Sequence, residues 1–261
     1  MKPIVKWSGG KGDEISRFES HFPDDCSTYV EPFVGGGAVF FSIGNNFESK
    51  IICDVHEELI ALYRTISDGN IGTIYDFMSS HPNDEETYYR VRAWKPTEQI
   101  DIACRFYYIR KTCFRGMSRY NKNGGFNVPF GRYKTCNYEA LKDVAYEDLL
   151  KDTTVSMSSF ENTFATYDDP STFVFLDPPY DSTFTDYGYC KFGKDEHVRL
   201  AELFKKSKSK CLMVIGGTDF IRELYDGYIV GEYEKKYRFK ILNGRVGDEI
   251  NTKHLIIKNY A

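Results

Sequence analysis

A chain of 261 residues, 41% apolar and 28% charged, has the composition of a globular protein and can form one large α/β domain or such a domain with a smaller insert. No apolar run approaches the length that spans a bilayer, and a formal charge of −4 carries no overall signature of a polyanion partner. Seven cysteines without C-x-x-C spacing and five histidines without a ligand motif argue for free thiols in a reducing cytosol, against a disulfide frame and against a metal centre.

The opening "MKPIVKWSGGKGDE" lacks the apolar core of a signal peptide and reads as mature sequence. Within it "KWSGGK", Lys6 to Lys11, is a basic, glycine-rich turn. "STYVEPFVGGG" follows as a short strand entering a second glycine turn, with a helix starting at "AVFFSIG". "KIICDVHEELIALYRTI" repeats the pattern: a buried strand ends on Asp54, and a helix carries apolar residues at Leu59, Ile60, Leu62, Tyr63 and Ile66. Strands alternating with helices predict an α/β fold with a parallel, doubly wound sheet.

From about Gly72 to Lys134 that rhythm breaks. "IDIACRFYYIRKTCFRG" predicts a helix, and "MSRYNKNGGFNVPFGRYK" a hairpin with a loop around Asn121 to Gly125. Residues 71–135 are read as an inserted domain within a body made of 1–70 and 136–261. Between Arg90 and Lys134 eleven basic residues face only Glu98 and Asp101, a local charge of +9 against −13 for the rest, and nine aromatic residues are interleaved. A basic, aromatic-rich segment on an acidic body suits a polyanion-binding face. The α/β pattern resumes with strands at "TTVSMSSF" and "TFVFLDPPY", a helix from Glu196 to about Lys206, and a strand at "KCLMVIGG". Two further strands, "YIVGEYEKKYRFKI" and "KHLIIKNY", end the chain.

Ligands of such sheets lie beyond the carboxyl ends of the strands, and three of these ends carry chemistry. Gly35 and Gly37 let the backbone approach a ligand closely. Asp54 can accept hydrogen bonds from both hydroxyls of a ribose or cap the helix that follows; the two readings are compatible. Asp177 ends a strand buried on both faces and is followed by Pro178, Pro179 and Tyr180. A carboxylate at Asp177 and the carbonyl of Pro178, fixed by the proline ring, can accept the two protons of an exocyclic amino group and orient its nitrogen toward an electrophilic methyl group. Tyr180 offers a ring face on which a base can stack.

"KWSGGK", "EPFVGGG", "CDVHEELI", "RYNKNGGFNVPFGRYK" and "DPPY" stand in the order found in the Dam-type, D12 class of adenine-specific DNA methyltransferases, and the chain resembles that family over nearly its whole length. The resemblance implies a class I methyltransferase (Rossmann-like) fold with a mixed, mostly parallel sheet and an inserted helical and hairpin target-recognition domain. It implies S-adenosyl-L-methionine as methyl donor, S-adenosyl-L-homocysteine as product and double-stranded DNA as partner. Carried over by position, Trp7 and Lys11 meet the donor's methionine end or the neighbouring loop, Phe33 and Gly35 line its pocket, Asp54 holds its ribose, and Phe160 flanks its adenine or is a core residue. Asp177, Pro178 and Tyr180 are the catalytic set.

Lys6, Arg115, Met117, Arg119, Asn121 and Arg132 are the expected DNA contacts, with Arg119 reading a guanine and the other basic residues of the insert mostly solvated. GATC is the expected site; Arg115 stands where GATC-methylating members usually have asparagine, and Met117 where they often have leucine. Gly216 and Gly217 replace a Ser-Asn pair present in many relatives. The expected state is a cytoplasmic monomer, bacterial, phage or viral in source, with or without a separately encoded restriction endonuclease. The rival readings are methylation of the cytosine amino group, which usually has serine in place of Asp177, an RNA target, a nicotinamide dehydrogenase, which leaves "DPPY" and the basic insert unexplained, and a DNA-binding protein without catalysis.

Overall fold

The computed structural model describes residues 1–7, 9–121, 124–181, 192–236 and 251–261. Strands β1 (Thr28–Glu31), β2 (Ser49–Asp54), β3 (Thr153–Met157), β4 (Thr172–Leu176) and β5 (Lys210–Gly216) run parallel to one another. With β6 (Ile229–Lys236) and β7 (Asn251–Lys258) they make a seven-stranded sheet in the order β3-β2-β1-β4-β5-β7-β6, β7 being antiparallel to both of its neighbours. This is the mostly parallel, class I methyltransferase architecture that the motifs imply. Strand order reverses between β1 and β4, so the crevice of the fold opens where the glycine turn and Asp177 leave the sheet.

Side chains alternate across the sheet with the period of two that a pleated strand imposes. Tyr29, Ile52, Phe173, Phe175, Leu212 and Val214 enter one apolar cluster. Val30, Ile51, Val174, Leu176, Cys211 and Met213 enter the other. The second cluster is closed by α7 (Phe160–Tyr167), α8 (Lys194–Lys206) and α9 (Asp219–Leu224). The first is larger and extends from the sheet through α1 (Phe40–Ile43), α2 (Glu57–Ser67), α3 (Ile71–Ser80), α4 (Glu85–Ala93), α5 (Gln99–Thr112) and α6 (Ala145–Lys151). Helix α5 packs against α2, α3 and α4 and buries Ala103, Cys104, Phe106 and the run Tyr107–Arg110, which is why its sequence shows little amphipathic period.

Several expectations are adjusted. The helix after β2 is capped by His56, whose Nδ1 accepts from Leu59 N, and not by Asp54. The predicted hairpin after α5 is held by two isolated antiparallel bridges, Cys113 to Phe130 and Tyr120 to Phe126, rather than a continuous ladder. Left-handed backbone at Arg115 and Gly116 breaks one side, and Pro129 lacks the N–H a ladder needs on the other. Gly131 closes the base of this loop: its N–H donates to Thr112 O, and a Cβ there would lie 2.8 Å from the carbonyls of Thr112 and Cys113. Residues 122–123 of the predicted loop and 237–241 of the predicted strand lie outside the described residues, as does Cys190; the other six cysteines are free.

Strand β1 ends on Glu31, whose carboxyl is 2% exposed and accepts from Tyr29 Oη at 2.7 Å and Phe40 N at 3.2 Å. Burial, which outweighs these hydrogen bonds, and repulsion from Asp177 and Asp54 push its pKa up to about 8. The folded chain therefore holds a proton here that the unfolded chain releases above its ordinary carboxylate pKa. The associated stability is complete below about 4.5 and is lost as pH rises through about 8. Glu31→Gln keeps the shape and acceptor without the charge, so urea denaturation at pH 5, 7 and 9 should show wild type losing ground to the variant as pH rises. In the same assay Phe173→Ala, which removes a ring packed on Phe22, Tyr29 and Phe47, should cost about 3–5 kcal/mol at every pH.

Candidate active site

The first "KWSGGK" residues form a lid over the glycine turn. Trp7 lies so close to Gly35 that a Cβ there would be 2.7 Å from its ring, and Gly35 has φ of +47°, a conformation that favours glycine. The Trp7 ring meets His56 edge-on at 5.3 Å and is covered by the Arg110 guanidinium at 5.1 Å. Lys11 is 1% exposed, and its ammonium donates to Gly9 O at 3.0 Å and forms an ion pair with Asp177. The same ammonium stands 5.1 Å from the centre of the Tyr180 ring. Of the two residues expected near the methionine end of a donor or the adjoining loop, Trp7 rests on that loop and Lys11 on the carboxylate of "DPPY".

Three carboxyl groups converge beyond the switch point: Glu31 from β1, Asp54 from β2 and Asp177 just past β4. Asp54 is buried; its Oδ2 accepts from Gly35 N and its Oδ1 from His56 N, both at 3.0 Å. Burial raises its pKa to about 6 against the pull of these N–H groups. Asp177 keeps 20% of its side chain exposed. Burial raises its pKa and Glu14 adds to this, while the charge and hydrogen bond of Lys11 work the other way. Pro178 is buried, and Pro179 and Tyr180 are half-buried at the rim. Phe33 and Phe160 stack at 5.7 Å with Phe192 edge-on to Phe33, an aromatic wall on the β1 and β3 side of the crevice. Phe160 is also a member of the second apolar cluster. Among the described residues no three His, Cys, Asp or Glu side chains are grouped to hold a metal ion, and no helix is long and apolar enough to cross a membrane.

The basic segment divides into braces and exposed groups: Arg90, Lys95 and Lys134 are exposed, as expected of a solvated set, whereas three arginines are internal. Arg110 is 1% exposed and donates to Met117 O and Lys6 O, which ties the amino-terminal loop to the segment after α5. Arg105 pairs with Glu58 and donates to Arg92 O; Arg92 donates to Val128 O at 3.0 Å. Guanidinium groups satisfy several carbonyls at once, so arginine can serve inside a loop-rich unit that lacks a ladder. Arg115, Met117, Arg119, Asn121 and Arg132 are exposed, as is Lys6. Lys6 packs its stem near Gly116, Arg115 lies on the Phe114 ring at 5.2 Å, and Arg119 is held by Asn127 through Nε and Nη2. Asn121 accepts from Gly125 N at 2.9 Å. Arg132 instead pairs with Glu85 on the surface, with a left-handed φ of 52°.

A polar chain that motif reading missed links this segment to the crevice. Burial and the charge of Arg110 lower the pKa of His56 to about 3, so the ring is neutral. Its Nδ1 accepts from Leu59 N, which leaves the proton on Nε2, and Nε2 donates to Tyr120 Oη at 2.7 Å. Tyr120 Oη donates in turn to Glu58 Oε2 at 3.1 Å. The only signal for this in the sequence is that His56 lies two residues past Asp54 and Tyr120 between Arg119 and Asn121.

Comparison with known proteins agrees with this geometry. The chain is 69% identical over 260 residues to the Type II methyltransferase M.CviBI of Paramecium bursaria Chlorella virus NC1A, covering all of both chains. It is 31% identical over 293 residues to the Type II methyltransferase M.MjaIII of Methanocaldococcus jannaschii, covering 100% of this chain and 99% of the relative. It is 33% identical over 242 residues to a DNA adenine methylase of Haemophilus influenzae, covering 87% of this chain and 83% of that one. The sequence model of the D12 class matches residues 7–241, a span that includes the tryptophan on the glycine turn and the carboxylate past β4. The chain is an enzyme and belongs to the D12 class of N6 adenine-specific DNA methyltransferases.

Proposed function

We propose that the enzyme transfers the methyl group of S-adenosyl-L-methionine to the exocyclic 6-amino nitrogen of an adenine flipped out of a short duplex DNA site. The observation that carries this reading is the meeting of Asp177, Pro178 and Tyr180 with the glycine turn and Asp54 at one strand reversal. The donor supplies a methyl group on a positively charged sulfur. Asp54, a buried carboxyl group beside the backbone of Gly35 at the end of β2, suits the paired hydroxyls of the donor's ribose, which is the fit the residues offer. Asp54 accepts from the ribose hydroxyls with lone pairs its backbone donors leave, the backbone of Gly35, seated under Trp7, lines the pocket, and Phe33 and Phe160 border its adenine. Trp7 and Lys11 close the amino-terminal side.

Asp177 accepts one proton of the target amino group and the Pro178 carbonyl the other, which localises the nitrogen lone pair as that atom becomes tetrahedral. Lys11 favours the ionised, accepting form of Asp177 against the effect of burial. Tyr180 stacks on the extruded base. The nitrogen–carbon bond forms as the methyl group leaves sulfur, and one amino proton is released to solvent.

In this reading residues 71–135 are a DNA-recognition unit on a catalytic body of residues 1–70 and 136–261. Lys6, Arg115, Met117, Arg119, Asn121 and Arg132 contact the DNA, Arg119 at a guanine edge through a guanidinium plane that Asn127 has already fixed. GATC remains the proposed site. The working state is a cytoplasmic monomer, since one flipped base needs one crevice, with a separately encoded endonuclease as the proposed partner.

Incubation of DNA with labelled S-adenosyl-L-methionine followed by single-molecule sequencing should place N6-methyladenine at one short motif. Methylcytosine, or no methylated adenine at any motif, would overturn the reading. Asp177→Ala should still bind duplex DNA while kcat falls by about 10²–10³-fold or more. Full activity in that variant would refute the assignment of the acceptor. Arg119→Ala should relax preference at a single base pair by about 1–3 kcal/mol, read from kcat/KM over singly substituted sites. A uniform loss at every site would make Arg119 a phosphate contact instead.

A further inference from the structure

Behind the Tyr180 ring lies a buried ionic network that none of the catalytic roles above uses. His254 on β7 is 0% exposed and pairs in register with Gly216 on β5 and Tyr233 on β6. Its ring stands perpendicular to that of Tyr180, with centroids 5.4 Å apart. Its Nδ1 lies 2.7 Å from Glu14 Oε2. Tyr233 Oη donates to the same oxygen at 2.8 Å, and the Lys235 ammonium lies 2.8 Å from Oε1. Burial works against charge on Glu14, but the hydrogen bonds from His254 and Lys235 and the charge of Lys11 prevail and bring its pKa down to about 2. An ionised carboxylate only accepts, so His254 Nδ1 carries a hydrogen and its tautomer and ring plane are set by Glu14.

We propose that His254, held by Glu14, is a positioning residue that sets the plane of the Tyr180 ring against which the target adenine stacks. The inference rests on the stacking role given to Tyr180 under the proposed function. Among the described residues that ring is bordered by His254 at right angles, by Lys11 at 5.1 Å, and by the backbone of Gly216, where a Cβ would stand 3.4 Å from Tyr180 Cδ2. Gly216 thus provides a bare backbone floor for the ring. Glu14 N donates to Lys11 O at 2.8 Å, so one turn of chain delivers an ammonium to Asp177 and a carboxylate to His254. The acceptor and the stacking surface of "DPPY" are thereby located relative to each other by a single rigid turn. Apolar side chains of similar volume would fill the space behind Tyr180 without the desolvation cost of a buried carboxylate. A directional hydrogen bond specifies an orientation, which apolar packing does not.

The test uses the whole enzyme, adenine-containing duplexes for turnover, duplexes carrying 2-aminopurine at the target position for fluorescence, and the variants Tyr180→Ala, His254→Leu, His254→Asn, Glu14→Gln and Tyr180→Ala/His254→Leu. His254→Leu should lower kcat by roughly 10–100-fold, the scale set by misplacing a reacting group by about an ångström, with the KM for the methyl donor changed by less than about 3-fold. Its 2-aminopurine fluorescence should shift toward that of Tyr180→Ala. In the Tyr180→Ala background the same change should add less than about 2-fold, because a group acting through the ring has nothing left to position. Glu14→Gln should give a smaller loss of the same kind. His254→Asn keeps a donor near Nδ1 without the ring, so it reports the same kcat loss if the leucine variant does not fold. Unchanged kcat in His254→Asn or His254→Leu, or a full multiplicative loss in the double variant, would overturn the proposal while leaving the role of Tyr180 intact. Unchanged kcat and fluorescence in Tyr180→Ala itself would instead refute the stacking role, and the inference with it.

Discussion

The crevice is organised around one ion pair. Lys11 brings an ammonium that is almost wholly buried to the carboxylate that follows β4, and these two residues are 166 positions apart in the chain. A buried charge left alone is costly, and Asp177 is under pressure from burial and from Glu14 to take up a proton. The ammonium opposes that pressure, so the carboxylate can remain an acceptor in a site whose other carboxyl groups, Glu31 and Asp54, are pushed toward the neutral form. The pair also has a geometric consequence. It requires the amino-terminal segment to cross the open end of the sheet, which places Trp7 directly on Gly35 and Gly36.

Much of this frame is legible from residues alone. Strands that end on Asp54 and Asp177 announce their chemistry because a carboxylate followed by a helix start or a proline cannot continue a buried strand. The parallel order follows from the alternation of strand and helix, and the reversal between β1 and β4 puts both ends at one crevice. What could not be read is pairing at a distance. "KWSGGK" looks like a solvated basic turn, yet Lys11 is interior because its partner arrives from β4. Glu14 in "GDEIS" and His254 in "TKHLI" look like surface residues on their own stretches of chain. Only the register of β7 beside β5 and the turn after Lys11 bring them together.

Charge counting over the basic segment met the same limit. A sum of +9 is a real electrostatic asymmetry, but it weighs every arginine alike. Arg110, Arg105 and Arg92 bind carbonyls within the insert or between it and the body, and none can be told from Arg115 or Arg119 by composition. The physical reason lies in the loop after α5. Two isolated bridges satisfy few backbone groups, so the remaining carbonyls need donors, and guanidinium groups supply several from one side chain. A segment rich in arginine is therefore partly an exposed basic surface and partly a substitute for a missing ladder.

These internal arginines also decide how rigidly the segment is mounted. Arg110 holds the carbonyls of Lys6 and Met117 at once and covers Trp7, while Tyr120 is bound to His56 and Glu58 at the start of α2. His56 N is itself a donor to Asp54. Tyr120 and the carboxylate at the end of β2 are thus connected by two consecutive hydrogen bonds through His56, with Glu58 as a side branch. Displacing the segment by the rise of one residue would break the His56–Tyr120 hydrogen bond and strip the cover from Trp7, and with it the packing on Gly35. A segment joined in this way is fixed relative to the glycine turn, so the position of Tyr120 and that of the crevice are one variable rather than two.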